Sequence, residues 1–585
     1  MPAAHAFAKV GEEHALERAG YLPGSRGVVS ELLLTANEGL TVAAHRGDGV
    51  TLLAFDVPEQ LVPDLAGFAV QYTTPKGDTH PIRNRLSFRR PITAETLPHE
   101  RRWTPTDRAP LQKFHWVHFP PDVVPGPFTY HVTAMLFRRG GSRTVTLDPG
   151  PSASISLELF DEGYPKFDVG FTRGYLSSQA YAARFRNAPV SPPERSIDFD
   201  SRPYQRRWRW LGFHARRLVF DFLREAVADD DLRLDVFAYD LNEPDLLRLF
   251  KRLGHRLRLF LDDSRDHVKR TSLEVAARRM LERSAGRKNV KTGHFSRFAH
   301  DKVMIQRRGE NPVKVLSGSA NFSTRGLYVQ SNNIFVFDDR ELAKLYGEAF
   351  EQAWKDPAGF DDSELAARWF ERRGRGLPPV AVSFSPHRDP EVSLQRVADA
   401  IADAKSSVLF SVMELGGKGP VMEQIQKLPD RRLYAFGTTQ RASGALVVTS
   451  PGHPSVAVPF SYLQKQVQGP FQAEISGGSG QVIHNKFVVV DFNDRKPLVF
   501  TGSSNLAAGG ERENGDNLVC FADHRIAATY AVEAIRLIDH YRFRAVQRRA
   551  TRSAPLVLKP RSAQWARDYY DPKNAKFRER VLFVS

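Results

Sequence analysis

Two stretches of this 585-residue chain carry the same reactive side chains at the same intervals. The first holds His300, Lys302, Gly318, Ser319, Asn321 and Asn333; the second holds His484, Lys486, Gly502, Ser503, Asn505 and Asn517. In both, His to Lys is 2 residues, His to Gly 18, His to the first Asn 21, and that Asn to the next 12. A single histidine of this kind is usually an ordinary core residue, but four shared intervals are hard to produce by chance. Two imidazoles, two ammonium groups and two primary amides suit a phosphodiester. One imidazole can attack phosphorus and the other can protonate the leaving oxygen, while Lys and Asn donors hold the charge on the nonbridging oxygens. Imidazole titrates near pH ~6.5, so one neutral and one protonated ring can coexist near neutrality. The scheme requires no metal and no cofactor.

The elements that must position these groups follow from periodicity. The stretches KVMIQ and KFVVVDF predict strands, in which residues i and i+2 share a face, so that His and Lys of each pair project together. The apolar runs VKVLSG and LVFTG predict a neighbouring strand ending in the Gly-Ser turn. Upstream, RRLVFDFLREAVADD and EPDLLRLFKRLG predict helices, with LRLDVFAY and RLRLFLD as strands, which is a βαβ grammar and implies a largely parallel sheet. The same grammar restarts near Val382, with a helix predicted from Val392 to Ala404, so the chain reads as duplicated. Between the β-rich start and the first long helix, the Pro-rich residues 187–203 predict a surface connection.

The segments His300-Asp301-Lys302 with Gly318-Ser319-Ala320-Asn321, and His484-Asn485-Lys486 with Asp491 and Gly502-Ser503-Ser504-Asn505, resemble the H-x-K-x4-D and GSxN motifs of the phospholipase D superfamily. The resemblance covers about residues 167–585. It implies two tandem α/β domains, 166–378 and 379–585, in a pseudo-twofold arrangement around one shared active site, with a phosphohistidine intermediate and no metal. The catalytic set it implies is His300, Lys302, Asn321, His484, Lys486 and Asn505, supported by Ser319, Ser503, Asp491, Asn333, Asn517 and Asp516. The residues alone leave open which imidazole attacks; the resemblance favours His300 as nucleophile and His484 as general acid. Two positions depart from the pattern. Arg307 stands where the first copy should carry its motif Asp, and Asn332 stands where an acidic residue often precedes the late Asn, as Asp516 does in the second copy.

Residues 1–165 read differently, as about seven short β runs separated by Gly, Pro and Asp clusters, which predicts an accessory β-sandwich of immunoglobulin or fibronectin type. Trp116, Phe128 and Tyr130 are expected in its core. The formal charge is +16 over the whole chain. Residues 1–165 carry 16 Lys+Arg against 18 Asp+Glu, so the remaining 420 residues carry +18. A field of that sign attracts polyanions, either nucleic acid or anionic lipid. Residues 202–217 interleave Arg206, Arg207 and Arg209 with Trp208, and 541–552 add Arg542 and Arg544, so both stretches are candidate nucleic-acid contacts. One cysteine, Cys520, excludes an intrachain disulfide framework and a Cys-rich metal site. No export signal or spanning segment is recognisable, which predicts a cytoplasmic protein. The leading expectation is a nuclease. The alternatives are a phospholipase D or phosphatidyltransferase, and an impaired paralogue that only binds polyanions. Both motif copies lie in one chain, so no oligomer is needed to complete the site.

Overall fold

The structure is a computed structural model that describes residues 32–37, 39–96, 102–120, 124–138, 145–159, 163–174, 181, 184–186, 188–194, 196–415, 417–441, 457–459 and 483–585. All seven β runs expected before residue 165 contain strands. They form two antiparallel four-stranded sheets, one of Leu32–Asn37, Leu40–Arg46, Thr51–Asp56 and His115–His118, the other of Leu147–Glu158, Pro127–Phe137, Leu65–Thr73 and Thr79–Pro81. Val42, Phe55, Phe68, Phe128, Tyr130, Val132 and Ile155 from the two sheets share one core.

The rest of the chain builds two larger sheets. The first contains β1 (Phe167–Phe171), β2 (Leu232–Ala238), β3 (Leu257–Asp262), β4 (Val290–Gly293), β5 (Val303–Arg308), β6 (Asn311–Gly318) and β7 (Asn333–Phe337). The second contains β8 (Val380–Ser385), β9 (Ser407–Glu414), β10 (Tyr434–Arg441), β11 (Ala457–Pro459), β12 (Phe487–Val490), β13 (Leu498–Gly502) and β14 (Asn514–Phe521), with Phe370–Arg372 added at its edge. The first runs β1-β7-β6-β5-β2-β3-β4 and the second β8-β14-β13-β12-β9-β10-β11. The order is the same with every strand advanced by seven. The senses agree as well: β2, β3 and β4 pair in parallel, as do β9, β10 and β11, and every other neighbour on both paths is antiparallel.

Ten α-helices are present among the described residues: α1 (Gln205–Ala228), α2 (Pro244–Leu253), α3 (Leu273–Ala285), α4 (Thr324–Tyr328), α5 (Arg340–Lys355), α6 (Glu391–Asp403), α7 (Pro420–Lys427), α8 (Ala508–Glu513), α9 (His524–Arg549) and α10 (Ala575–Val584). The signals that start and stop α2 are local. Glu243 accepts from the Leu246 amide, Pro244 sits in the first turn, and Gly254 closes the helix at φ 56°. One face of the first sheet packs on α1, α2 and α3 through residues such as Val219, Leu246 and Leu281, and one face of the second packs on α6 and α7 through Val397 and Ile425. Their other faces meet in a common core with α5 and α9, where Phe167, Phe335 and Phe337 lie against Phe521 at ring separations of 5.1 to 6.1 Å. Each such Phe contributes about 1.5–3 kcal/mol by leaving water.

The N-terminal sheets join this core. Ala43, Leu52 and Ala54 turn to the same cluster as Tyr530 and Val532 of α9. His115 lies between Asp539 of α9 and Glu579 of α10, at 3.0 and 2.9 Å, and His214 of α1 lies 2.8 Å from Asp48. Residues 188–194 and 196–201 are irregular as expected, yet anchored, since Val190 and Ile197 are buried and the Val190 carbonyl accepts from the Trp208 indole at 2.8 Å.

Candidate active site

The two halves are stitched together reciprocally at the motif. The two-residue strand Phe298–Ala299, just before His300, pairs in parallel with Asn514 and Gly515 of β14, and Ile483, just before His484, bridges in parallel to Ser331. This corrects the expectation that His and Lys sit within their strands. Both H-x-K triplets are irregular backbone, lying between these pairings and the start of β5 or β12. The pairs still converge. His300, Lys302, His484 and Lys486 are all buried, and the charges of Lys302 and His300 both act on His484.

Each ring is oriented by the opposite half. His300 Nδ1 donates to Asp516 Oδ1 at 2.7 Å. His484 Nδ1 donates to Asn332 Oδ1 at 2.8 Å. The Asn332 amide cannot turn over, because its Nδ2 donates to the Gly326 carbonyl at 2.9 Å while its Oδ1 accepts from Ser319 at 2.8 Å. The first histidine therefore faces a carboxylate and the second a neutral amide, each of which fixes the tautomer with the proton on Nδ1. Lys302 Nζ donates to the His300 carbonyl, and Lys486 Nζ to the His484 carbonyl at 2.9 Å. The Tyr239 ring stands 5.0 Å from His300 and 5.1 Å from Lys302 Nζ.

The GSxN turns explain their composition. Gly318 and Gly502 have φ of 151° and 148°, and a Cβ there would lie 2.3 Å from the Asn333 carbonyl oxygen or 2.2 Å from that of Asn517. Ser319 and Ser503 accept from the backbone amides of Asn333 and Asn517 at 3.0 and 2.9 Å. Asn321 Nδ2 donates to Asp240 Oδ2 at 2.6 Å. Asn321 and Asn505 each keep a buried Oδ1 without a protein partner. The late asparagines tie the halves together. Asn333 Nδ2 donates to Tyr530 at 2.9 Å and Thr501 at 3.2 Å, whereas Asn517 donates to Asp301 at 2.7 Å and accepts from Ser317 and Tyr346 at 3.1 and 3.3 Å.

Electrostatics follow from four potential cations buried close together. Burial, then the charges of Lys486, Lys302 and His300, hold His484 well below the ordinary imidazole value. Burial also lowers His300, with Asp516 opposing. Burial brings Lys302 down to about 8 against the pull of Asp516, and burial with Lys302 depresses Lys486. Burial and Asp516 push the Asp301 carboxyl up to about 7. A bound phosphodiester monoanion would relieve this mutual repulsion, so the arrangement favours an anion near two imidazoles.

Several expected site residues lie elsewhere. Asp491 is at the far end of β12, where its carboxylate accepts from the Lys405, Ser406 and Ser407 amides at 2.8 to 3.0 Å. Its role is to close the turn into β9. Arg307, at the matching place in the first half, pairs with Asp235 at 2.9 Å and Glu351 at 2.7 Å, so the missing carboxylate leaves the pocket untouched. Trp208 is fully buried and stacks on Tyr328 at 4.6 Å, which removes it as a nucleic-acid contact. An indole on the inner face of an amphipathic helix gains more from the core than from solvent. Arg206 and Arg209 are exposed on α1 and Arg207 is partly so. Arg542 is partly buried, its guanidinium 5.8 Å from the Phe436 ring, and the Arg544 side chain lies outside the described residues. The sequence reading missed Tyr239, Asp240, Asp262 and His267. Asp240 and Asp262 stand at the carboxyl ends of β2 and β3, and the carboxyl ends of parallel strands are where α/β sheets place ligands; that signal could have found them.

A family model described as "Cardiolipin synthase, PLD-like domain" matches residues 228–354. The curated mitochondrial cardiolipin hydrolase of Xenopus tropicalis is 30% identical over 150 residues, which is 25% of this chain and 64% of that protein. Two solved structures are also similar. Nuc from Salmonella typhimurium, described as a phospholipase D family member, is 25% identical with a TM-score of 0.20 and covers 24% of this chain and 87% of its own. Phosphatidylserine synthase from Haemophilus influenzae Rd KW20 is 12% identical with a TM-score of 0.36 and covers 59% and 86%. The matched span carries His300, Lys302 and the first Gly-Ser turn, and their counterparts recur around His484, so residues 228–354 are similar to the phospholipase D-like domain and the chain repeats that domain's motif residues in its second half.

Proposed function

We propose that this chain is a phosphodiesterase acting on nucleic-acid strands through a phosphohistidine on His300. The observation that carries the assignment is the His300–Asp516 pair. With Nδ1–H held by a carboxylate, Nε2 bears the lone pair, and the imidazolium that forms on attack is stabilised. Nε2 of His300 bonds to phosphorus as the phosphorus–oxygen bond to the leaving group breaks, and His484, which takes up a second proton on Nε2 once the anionic substrate offsets the lysine charges, passes it to that oxygen. Water then attacks phosphorus, giving its proton to His484, and the N–P electrons return to His300. Lys302, Lys486, Asn321 and Asn505 hold the nonbridging oxygens. The matching strand orders support residues 166–378 and 379–585 as two copies of one catalytic unit, and the paired N-terminal sheets support an immunoglobulin-like accessory domain.

The substrate class rests on the rim. Exposed Arg265, Lys269 and Arg270 lie on the loop after β3, Arg297 bonds Asn514 at 2.9 Å beside the His300 segment, and Arg325 follows Asn321 on α4. Basic side chains of this kind suit the phosphates of a strand. A phospholipid headgroup is the second reading, favoured by the cardiolipin hydrolase named among the relatives. Incubation of wild type and His300→Asn with single-stranded DNA, RNA, plasmid, and cardiolipin or phosphatidylcholine vesicles in EDTA decides between them. Nucleic-acid cleavage that disappears in His300→Asn is expected. Lipid turnover without strand cleavage would transfer the assignment to the second reading, and no turnover at all would leave a binding protein.

A further inference from the structure

A hydrogen-bonded chain runs beneath the pocket on the first-half side. The Ala299 amide, directly before His300, donates to Asp262 Oδ2 at 2.7 Å. Asp262 Oδ1 accepts from His267 Nδ1 at 2.7 Å, and His267 Nε2 reaches Asp240 Oδ1 at 3.1 Å. Asp240 Oδ2 accepts from Asn321 at 2.6 Å. One imidazole therefore links the backbone that carries one reactive ring to the amide of the Gly-Ser turn. The Tyr239 ring fills the angle between the two, 4.5 Å from His267 and 5.0 Å from His300. The other groups about His267 are Ser264, at 3.5 Å from Nδ1, Ser272, which donates to its carbonyl at 2.9 Å, and the Glu274 carboxylate, which has an oxygen within 4.8 Å of the ring.

We propose that His267 is a positioning residue, an imidazolium bridging Asp262 and Asp240 that sets the registry between His300 and Asn321. The inference rests on the phosphodiesterase reading above. Either aspartate alone could hold its own donor, but the buried Asp262 and half-buried Asp240 carboxylates, separated by a neutral group, would repel, and only a group donating from both edges joins them. Hydrogen bonds to Asp240 and Asp262 outweigh the cost of burial and push His267 up to about 10, so the bridge carries its charge at neutral pH. The bridge also fixes Asn321, whose Nδ2 is committed to Asp240 and whose buried Oδ1 has no protein partner.

The test uses the full chain with bis-p-nitrophenyl phosphate as probe. His267→Gly is expected to lower kcat roughly 30- to 100-fold with KM changed less than about 3-fold, as misplacement of reacting groups does. Added imidazole, which fits the space vacated, is expected to restore at least a third of the rate and leave wild type unchanged. His300→Asn is the control for the underlying reading: turnover that survives it, or its absence in wild type, defeats that reading, not the bridge. The bridge is then judged without activity, by the 15N-histidine spectrum at pH 8, where the signals lost in His267→Gly must show both ring nitrogens protonated. Unchanged kcat, a loss that imidazole does not rescue, or a singly protonated ring would each overturn the proposal. Asp240, His267 and Glu274 also offer ligand atoms within 4.8 Å of one another, so stoichiometric divalent metal lost with His267 would overturn it in favour of a metal site.

Discussion

His300 and His484 are near-duplicates in sequence but not in surroundings, because Asp516 backs one ring and Asn332 the other. Removing a buried carboxylate that fixes a tautomer and balances a developing imidazolium costs far more than removing a neutral acceptor. Asp516→Asn is therefore expected to lower kcat by roughly 10²- to 10⁴-fold, and Asn332→Ala by about 10-fold, read in single-turnover assays. Lys302, brought down to about 8, loses its charge as pH rises through that value in the free protein. The kcat/KM for a phosphodiester should accordingly fall above pH ~8, and Lys302→Arg, which stays protonated, should flatten that limb while lowering the plateau. The candidate set of paired His, Lys and Asn residues was legible in the sequence because two like segments of one chain supply their own comparison. The Asp262–His267–Asp240 bridge was not, since its members come from different loops with no periodicity to link them.

At the scale of elements, the apolar periodicity foretold β2, β3, α2 and the strand that ends in each Gly-Ser turn, because those segments bury a face inside a single half. It failed at the H-x-K triplets and at 202–217. In both, a partner distant along the chain decides the conformation: β14 and Ser331 draw the triplets out of their own sheets, and Tyr328 draws Trp208 inward. Asp491 illustrates how a motif residue can serve an element without touching the chemistry. Asp491→Ala leaves three backbone N–H groups at the start of β9 without their acceptor, and each such group costs about 1–3 kcal/mol when buried. The expected outcome is a lower urea midpoint for Asp491→Ala, with kcat at 20 °C below the transition changed less than about 2-fold.

Across the whole molecule, the N-terminal sheets are fastened by charge as well as by apolar contact. His115 is raised to about 9 because Asp539 and Glu579 more than offset its burial, and His214 reaches about 9 through Asp48 and Asp168 in the same way. Both folded values lie above the unfolded ~6.5, so this stabilisation is complete below pH ~6.5 and is lost as pH climbs through about 9. Melting temperature should fall between those limits, with His115→Gln shallowing the slope; differential scanning calorimetry at constant ionic strength reads it. Truncation before residue 166 strips Ala43, Leu52 and Ala54 from the core around Tyr530, and aggregation is expected in a sedimentation assay where an active fragment would stay in solution.

The residues after α9 come back to the opening sheets. Leu556 pairs with Ile92, the Trp565 indole donates to the Leu65 carbonyl at 2.8 Å, and Tyr569 lies in the same apolar cluster as Phe55 and Phe68. On the ribosome, the sheets of residues 32–158 must therefore wait, with a seam of their interior unfilled, for residues 556–569 to emerge. A chaperone, or the growing α/β sheets themselves, would have to shield that seam for the time needed to add more than four hundred amino acids.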